Sequence, residues 1–431
     1  MKAKGKRQKA KGKSGDTQTP QLNSTYALSM RRRCAAILLP FAFCLLPFAF
    51  PPKAGLPFAL ARVSAHEPIT TKVRFNKEVV RILARSCLGC HHAGGIAMSL
   101  ATYDEARPWA KAIKEEVLNK RMPPWGAVKG FGDFRNAPPL TQRELDLLVN
   151  WVEGGAPKGE DGDLPTAPLY SDDWQLGKPD MILKAASASV AADADESRTI
   201  TLATNTTKAA WLAAIDLRPG DGRVVHCAKF YLEGGACLGT WMPGQKTVAW
   251  ADGAAQFLPA GGRLTVKIHY RGAGEAARDQ SEVGLYFAKT PPRKLLREVA
   301  VSDASTTIPA GASMHPVRLS YTVQEETEAM ALRPLVSPLI MSLQVTAYRA
   351  DGSEEVLLWT RGHQFDWQPT YYLKRPALLP AGTRLEVIAY FDNSDSNPNN
   401  PNDPPQPLRL GDLGGEPLCA VMIAKPRSSN E

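Results

Sequence analysis

Beyond residue 50 the chain has no long apolar run. No later segment reaches the about 18 uninterrupted apolar residues a spanning helix needs, which excludes a polytopic helical membrane protein. It also lacks net charge once its amino terminus is set aside. Residues 1–65 carry twelve Lys/Arg against the single Asp16, and the whole chain's +9 less this segment's +11 leaves the remainder at −2. Such a body has no clustered cations to neutralise phosphates, so a nucleic-acid partner is excluded. With 22% charged and 44% hydrophobic residues, the composition is globular, and 431 residues suggest two or three domains. Cysteine is scarce, and position sorts it. Cys34 and Cys44 lie in an early apolar run, Cys87 and Cys90 stand together, and Cys227, Cys237 and Cys419 are scattered. Three scattered thiols cannot all pair within one molecule, although a Cys227–Cys237 bridge suits an oxidising compartment.

The amino terminus reads as an address. Residues 1–29 hold too little apolar surface to offset ordering entropy, and Met30 is a candidate start. Three arginines, the apolar run Cys34 to Phe50 and the small-residue ending Val63-Ser64-Ala65 follow in the order of a cleaved export signal. The mature protein is then expected to begin near His66, in the periplasm or another extracytoplasmic space. The competing reading, a retained anchor, requires a short run interrupted by Pro40 and Pro47 to span a bilayer.

Cys87-Leu88-Gly89-Cys90-His91 has the C-x-x-C-H spacing of covalent haem attachment: two thiols form thioethers to one porphyrin and the following imidazole ligates the iron. A zinc site needs a second ligand pair, and only His92 stands nearby, as a surface residue. A redox dithiol needs a βαβ setting, which is missing. Val79, Ile82, Leu83 and Cys87 fall at helical spacing and deliver the cysteines. A second helix opens on the capping box Thr141 to Glu144, carries Leu145, Leu148, Val149 and Val152 as its stripe, and stops at Gly154-Gly155. Residues 66–157 thereby resemble a small cytochrome c domain. Met122, in Lys120-Arg121-Met122-Pro123-Pro124-Trp125, is the expected second axial ligand, with Met98 packing near the haem edge as runner-up. A Met/His pair leaves no open iron position and suits electron transfer.

Residues 158–182 are Pro/Gly/Asp-rich and read as a linker. Alternating runs then take over, among them Arg263–Tyr270 and Arg384–Tyr390, each after a Leu-Pro-Ala-Gly turn. They predict two β-sandwich domains, about 183–303 and 304–425. The fold class expected is therefore an all-α cytochrome c domain followed by an all-β, double jelly-roll-like sandwich.

Several β-rich stretches resemble the copper type II, ascorbate-dependent monooxygenases, the peptidylglycine α-hydroxylating type, in bacterial fusions with a cytochrome c. These are Arg218-Pro219 before Val224-Val225-His226, Lys267–Tyr270, Val283–Phe287, Phe365–Gln368, and Tyr390–Ser394 leading to Asn397–Pro401. The resemblance implies two copper sites, one built on a His-His pair plus a third His and one on His-x-His plus Met. At the first, His226 is followed by Cys227, with His269 retained, so His226, Cys227 and His269 are candidate ligands of one copper. At the second, Pro334-Leu335-Val336-Ser337 replaces the histidine pair and Leu418 stands at the methionine position, with Met422 on the same strand face. Loss of the oxygen-binding copper implies no hydroxylation. His315 and His363 have no ligand partner at suitable spacing, and the run from Asp392 to Pro401 reads as a turn-rich loop held by side-chain-to-backbone bonds.

The expectation from sequence is an exported monohaem protein that transfers one electron to or from a redox partner protein or a small-molecule donor or acceptor, with no membrane span after signal cleavage. Two rivals stand beside it: a copper oxidoreductase fed by its own haem, and a non-enzymatic binding module with an electron-transfer appendage.

Overall fold

The computed structural model describes residues 71–136, 140–233, 235, 237–335, 337–362, 369–413 and 416–427. The basic leader, the export signal, the start near His66, the stretch Phe365–Gln368, Val336 and His363 lie outside these residues.

From residue 181 onward, alternation of apolar and polar side chains folds as strand after strand. The first ten are β1 (Met181–Lys184), β2 (Ala188–Val190), β3 (Asp195–Ala203), β4 (Ala210–Arg218), β5 (Val225–Leu232), β6 (Cys237–Trp241), β7 (Ala254–Leu258), β8 (Arg263–Arg271), β9 (Ala277–Asp279) and β10 (Glu282–Phe287). Ten more follow: β11 (Lys294–Val301), β12 (Thr307–Ile308), β13 (His315–Thr322), β14 (Thr327–Pro334), β15 (Ile340–Tyr348), β16 (Glu354–Arg361), β17 (Tyr371–Leu379), β18 (Arg384–Phe391), β19 (Leu408–Arg409) and β20 (Cys419–Pro426).

These strands make two sandwiches that share a sheet. An eight-stranded sheet runs β1-β10-β4-β7-β11-β20-β14-β17, and β7 joins β11 in parallel over only two residue pairs, Lys294 with Ala254 and Leu295 with Ala255. Two four-stranded sheets, β3-β8-β5-β6 and β13-β18-β15-β16, cover its two halves. In the first half Leu264, Val266, Ile268 and Tyr270 of β8 pack with Leu212, Leu217, Val283 and Leu285 from the long sheet. In the second, Leu385, Val387, Ala389 and Phe391 of β18 pack with Val299, Ala329, Val421 and Ile423. Each such fully buried aliphatic side chain contributes about 1.5–3 kcal/mol.

A polar network crosses between the halves. Glu416 accepts from Lys229 Nζ at 2.9 Å, from Tyr231 Oη at 3.0 Å and from Arg333 Nη1 at 2.6 Å, while Arg333 Nη2 reaches Glu298 at 2.9 Å. Burial would raise the Glu416 carboxyl, but the two cations outweigh it and hold the group down at about 2. Thr240 and Thr370 hydroxyls meet at 2.8 Å beside it.

The helices form a layer against this β body. A wide turn, Phe75–Val79, leads into α1 (Val80–Ser86), followed by α2 (Tyr103–Ala106), α3 (Ala110–Leu118) and α4 (Gln142–Glu153). Thr141 caps α4 reciprocally with Glu144, as the spacing of the two residues predicts. Val79, Ile82 and Leu83 are buried against Leu148 and Trp151, and Trp151 donates its indole N–H to the Pro157 carbonyl at 3.1 Å.

The all-α cytochrome c domain expected over 66–157 is not present, and the fold class read from sequence is corrected. The described chain is predominantly β, and its four α-helices have only seven, four, nine and twelve residues. Between α3 and α4 the chain leaves the helices altogether. Val128 N–H donates to Trp359 and Arg361 N–H to Gly126, on the edge strand β16; Arg135 N–H donates to Tyr372 and Lys374 N–H to Asp133, on the edge strand β17. Ala127 and Phe134 form bridges with Thr360 and Leu373. Residues 126–136 therefore lace together the open edges of both sheets of the second sandwich. Trp125, Phe134 and Tyr371 pack with ring centroids 4.8–5.9 Å apart, so the aromatic side chains of this stretch are committed to the β body. The error has a physical source: the helical periodicity at 79–87 and 141–153 is real but local, and it does not show where the intervening residues bury themselves. The resemblance to a fusion of a cytochrome c domain with a copper monooxygenase falls with that domain. Among the described residues no helix is long and apolar enough to cross a membrane.

Candidate functional site

Helix α1 ends at Ser86 and sets Cys87 in the turn that follows. The Cys87 N–H bonds to the Leu83 carbonyl at 2.8 Å, and the Cys90 and His91 N–H groups return to the Cys87 carbonyl at 3.1 and 2.9 Å. This tight loop places both cysteines on the lining of one cavity of about 740 Å³, within the about 300–1,000 Å³ usual for ligand sites. The helical loop supplies Cys87, Cys90, His92 and Ile96 to its wall. The opposite wall comes from Leu217 to Arg223 after β4 and from Trp241 to Lys246 after β6, with Tyr170, Trp174, Pro123, Pro124 and Trp125 closing the sides.

Burial pushes both thiols up to about 12, the neighbouring sulfur adding to the rise at Cys87. A redox-active dithiol needs the reverse, a thiolate stabilised near neutral pH. His91 Nδ1 lies 3.0 Å from the Met98 carbonyl, which as acceptor fixes the tautomer that leaves Nε2 with its lone pair. Burial holds this imidazole below its ordinary value, against the opposing pull of that carbonyl, which favours the neutral ring.

The other residues singled out from sequence fall as follows. Met98 is 45% exposed and contributes its carbonyl to His91, not its sulfur to the cavity. Met122 is 38% exposed and, like His91, is not among the residues that line the cavity, although Pro123 and Pro124 after it are. His92, read as a surface residue, is half-buried and stacks on Tyr170 with ring centroids 3.7 Å apart and planes 20° from parallel. No disulfide joins Cys227 to Cys237.

The candidate copper ligands do converge. Pairing of β5 with β8 shifts register between Val225 and Cys227, so His226 is a bulged residue, Cys227 lies opposite His269, and the two imidazoles approach to 5.5 Å. His269 Nε2 is 3.1 Å from Asp195 and Nδ1 is 3.2 Å from the Ser197 hydroxyl, which occupies both ring nitrogens. Among the described residues no group of three or more His, Cys, Asp or Glu is arranged to hold a metal ion. The structure brings the expected copper ligands His226, Cys227 and His269 together in a polar cluster that includes Asp195 and Ser197. Likewise, the Asp392–Pro401 loop is held by its amides: Asn397 Nδ2 donates to the Asp392 carbonyl at 2.8 Å, and Asn400 Nδ2 to the Ser394 carbonyl at 3.1 Å.

Sequence reasoning missed the β-side wall of the cavity altogether. Its residues lie more than a hundred positions from the cysteines and share no motif with them. The one signal available was glycine. A Cβ on Gly89 would collide with Gly244 Cα, and one on Gly244 would stand 2.9 Å from Cys90 Sγ.

No protein-family profile matches the sequence, and no curated protein matches it. Among solved structures the chain is similar to the major capsid protein P2 from bacteriophage PM2, at TM-score 0.29 and 11% identity over 58% of this chain and 98% of that one. It is also similar to a structure of infectious bursal disease virus Gx strain, at 0.17 and 9% over 58% and 76%. For allantoicase from Saccharomyces cerevisiae the values are 0.15 and 10% over 65% and 97%. Likenesses this weak carry no argument about activity.

Proposed function

We propose that this chain holds one haem through thioethers to Cys87 and Cys90, with His91 as axial ligand, and carries single electrons. The observation that bears most weight is that Cys87 and Cys90 of the C-x-x-C-H segment both line one cavity of about 740 Å³ while a backbone carbonyl orients the adjacent imidazole. Cys87 and Cys90 would bind by adding S–H across two vinyl groups; each sulfur gains a bond to carbon, its hydrogen passes to the neighbouring carbon, and no oxidant is consumed. His91 Nε2 would ligate the metal, its other nitrogen being held by the Met98 carbonyl. Met122, next in sequence to the lining residue Pro123, is the proposed second iron ligand. Bound there, a haem supplies reversible Fe(II)/Fe(III) chemistry, and two protein ligands leave no open position for oxygen. The redox partner, protein or small molecule, meets an exported protein in this reading, because the leader has the order of an export signal.

The test is a double substitution, Cys87→Ala with Cys90→Ala, in the full chain matured in a haem-attaching host. The wild type is expected to give a haem band that stays with the polypeptide through acid and organic extraction, and the variant to give none. A wild-type chain that is colourless, or whose haem extracts freely, overturns the proposal.

A further inference from the structure

We propose that Ser197, His269 and Asp195 act as nucleophile, base and orienting group on the outer face of the first sandwich, a site that cleaves short-chain carboxylic esters. Leu264, Val266, Ile268 and Tyr270 of β8 pack into the core, so His269 between the last two faces outward. Ser197 of β3 lies directly opposite His269 in register, and Asp195 is two positions along on the same face. His269 Nε2 stands 3.1 Å from the Asp195 carboxylate, which can only accept, so that nitrogen carries the proton. Nδ1 is then the acceptor for the Ser197 hydroxyl at 3.2 Å, the relation of a serine nucleophile to its base.

The backbone supplies the remaining part. Along β8 the Arg271 N–H donates to Val224 on the β5 side and the Gly272 N–H to Ala194 on the β3 side, so alternation turns the His269 backbone toward β5. Ser197 and His269 are therefore a non-hydrogen-bonded pair, which draws their side chains together and directs the Ser197 N–H to the open edge of β3. A donor beside its own hydroxyl is placed for the oxyanion of an attacked carbonyl. Ser197 Oγ bonds to the ester carbonyl carbon as its proton passes to Nδ1, and the alkoxide leaves with that proton as an alcohol. Water then attacks the acyl-serine and gives its proton to Nδ1, which returns it to Ser197 Oγ as the carboxylic acid departs. Ser197 and Asp195 are exposed, a setting that admits a short acyl group and the water that releases it. Asp195 acts through His269 and is a positioning residue.

The experiment treats the full-length chain with diisopropyl fluorophosphate, which loses fluoride as a serine oxygen bonds to phosphorus. Peptide mass spectrometry is expected to find the adduct on Ser197 and not on Thr199, which shares the strand face but lies opposite Lys267. The labelling rate is expected to fall about 100-fold in His269→Ala and by a smaller factor in Asp195→Asn. Added imidazole should restore labelling in His269→Ala, which a merely structural loss would not allow. Hydrolysis of para-nitrophenyl acetate should vanish in Ser197→Ala. An unlabelled Ser197 in the wild type, equal labelling of Thr199, an unchanged rate in His269→Ala or the absence of imidazole rescue overturns the proposal. No step involves haem, so a colourless matured chain overturns the haem reading alone.

Discussion

The first sandwich, β1 to β10, and the second, β11 to β20, are built alike, each with four strands over four around its own apolar cluster, yet they hold the helical layer in different ways. The first meets it through a backbone contact at Gly89 and Gly244 and one bond to a thiol. The second takes in residues 126–136 as lacing along both of its open edges. A cavity whose opposite walls are the cysteine loop and the first sandwich is closed at the side by Pro123 to Trp125, which lead into the stretch laced to the second, so its shape depends on how the halves are joined.

That dependence can be broken at the joint. Glu416→Ala removes the anion shared by Lys229 and Arg333 and leaves two cations in a half-dry setting, for an expected loss of about 3–5 kcal/mol in denaturant unfolding. Both halves should lose hydrogen-exchange protection together, since β7 and β11 share only two residue pairs. The same group sets an acid limit. Its folded-state value of about 2 lies below that of an unfolded carboxyl, so its contribution is complete above about pH 4.3 and is lost as pH falls toward 2. Thermal melts are expected to show this acid loss in the wild type and to show it reduced in Glu416→Ala.

Damage to one half alone sharpens the comparison. Phe134→Ala empties a buried site beside Trp125 and Tyr371, at a cost of about 3–4 kcal/mol. Protection should fall in β16 and β17 and remain in β5 and β8, and a uniform fall would mean that the halves are not separately laced. Thr141→Ala is the smallest perturbation. It removes a capping bond from α4 and should cost about 1 kcal/mol, confined to the helical layer.

Local rules made parts of this structure legible from sequence. The cap at Thr141 and Glu144, the buried face of α1 and the alternating strands β8 and β18 follow from neighbours within a few positions, and the structure contains each. The burial of Trp151, which anchors α4 more deeply than Val149 or Val152, was overlooked because the apolar stripe was drawn one position to its side. What stayed hidden depends on distant partners. Residues 125–136 carry Trp, Phe and Gly without a strand-like alternation, so nothing local shows that they line the edges of β16 and β17. The two-pair junction of β7 with β11 has no sequence mark. Of the cavity, a motif marks Cys87 and Cys90 and proline context marks Pro123 to Trp125, while nothing marks Met242 to Gly244. The copper ligands show the converse: His226, Cys227 and His269 come together as a metal site would require, and the side chains of Asp195 and Ser197, unremarked in the sequence, occupy His269 instead.

The most direct test is the intact mass of the full chain purified from a haem-attaching host, read together with its spectrum in alkaline pyridine. The account predicts a mass raised by one haem under denaturing conditions, a reduced haemochrome band, and loss of both in the Cys87→Ala, Cys90→Ala variant. An unmodified mass with no band, or a haem that survives that double substitution, would contradict it.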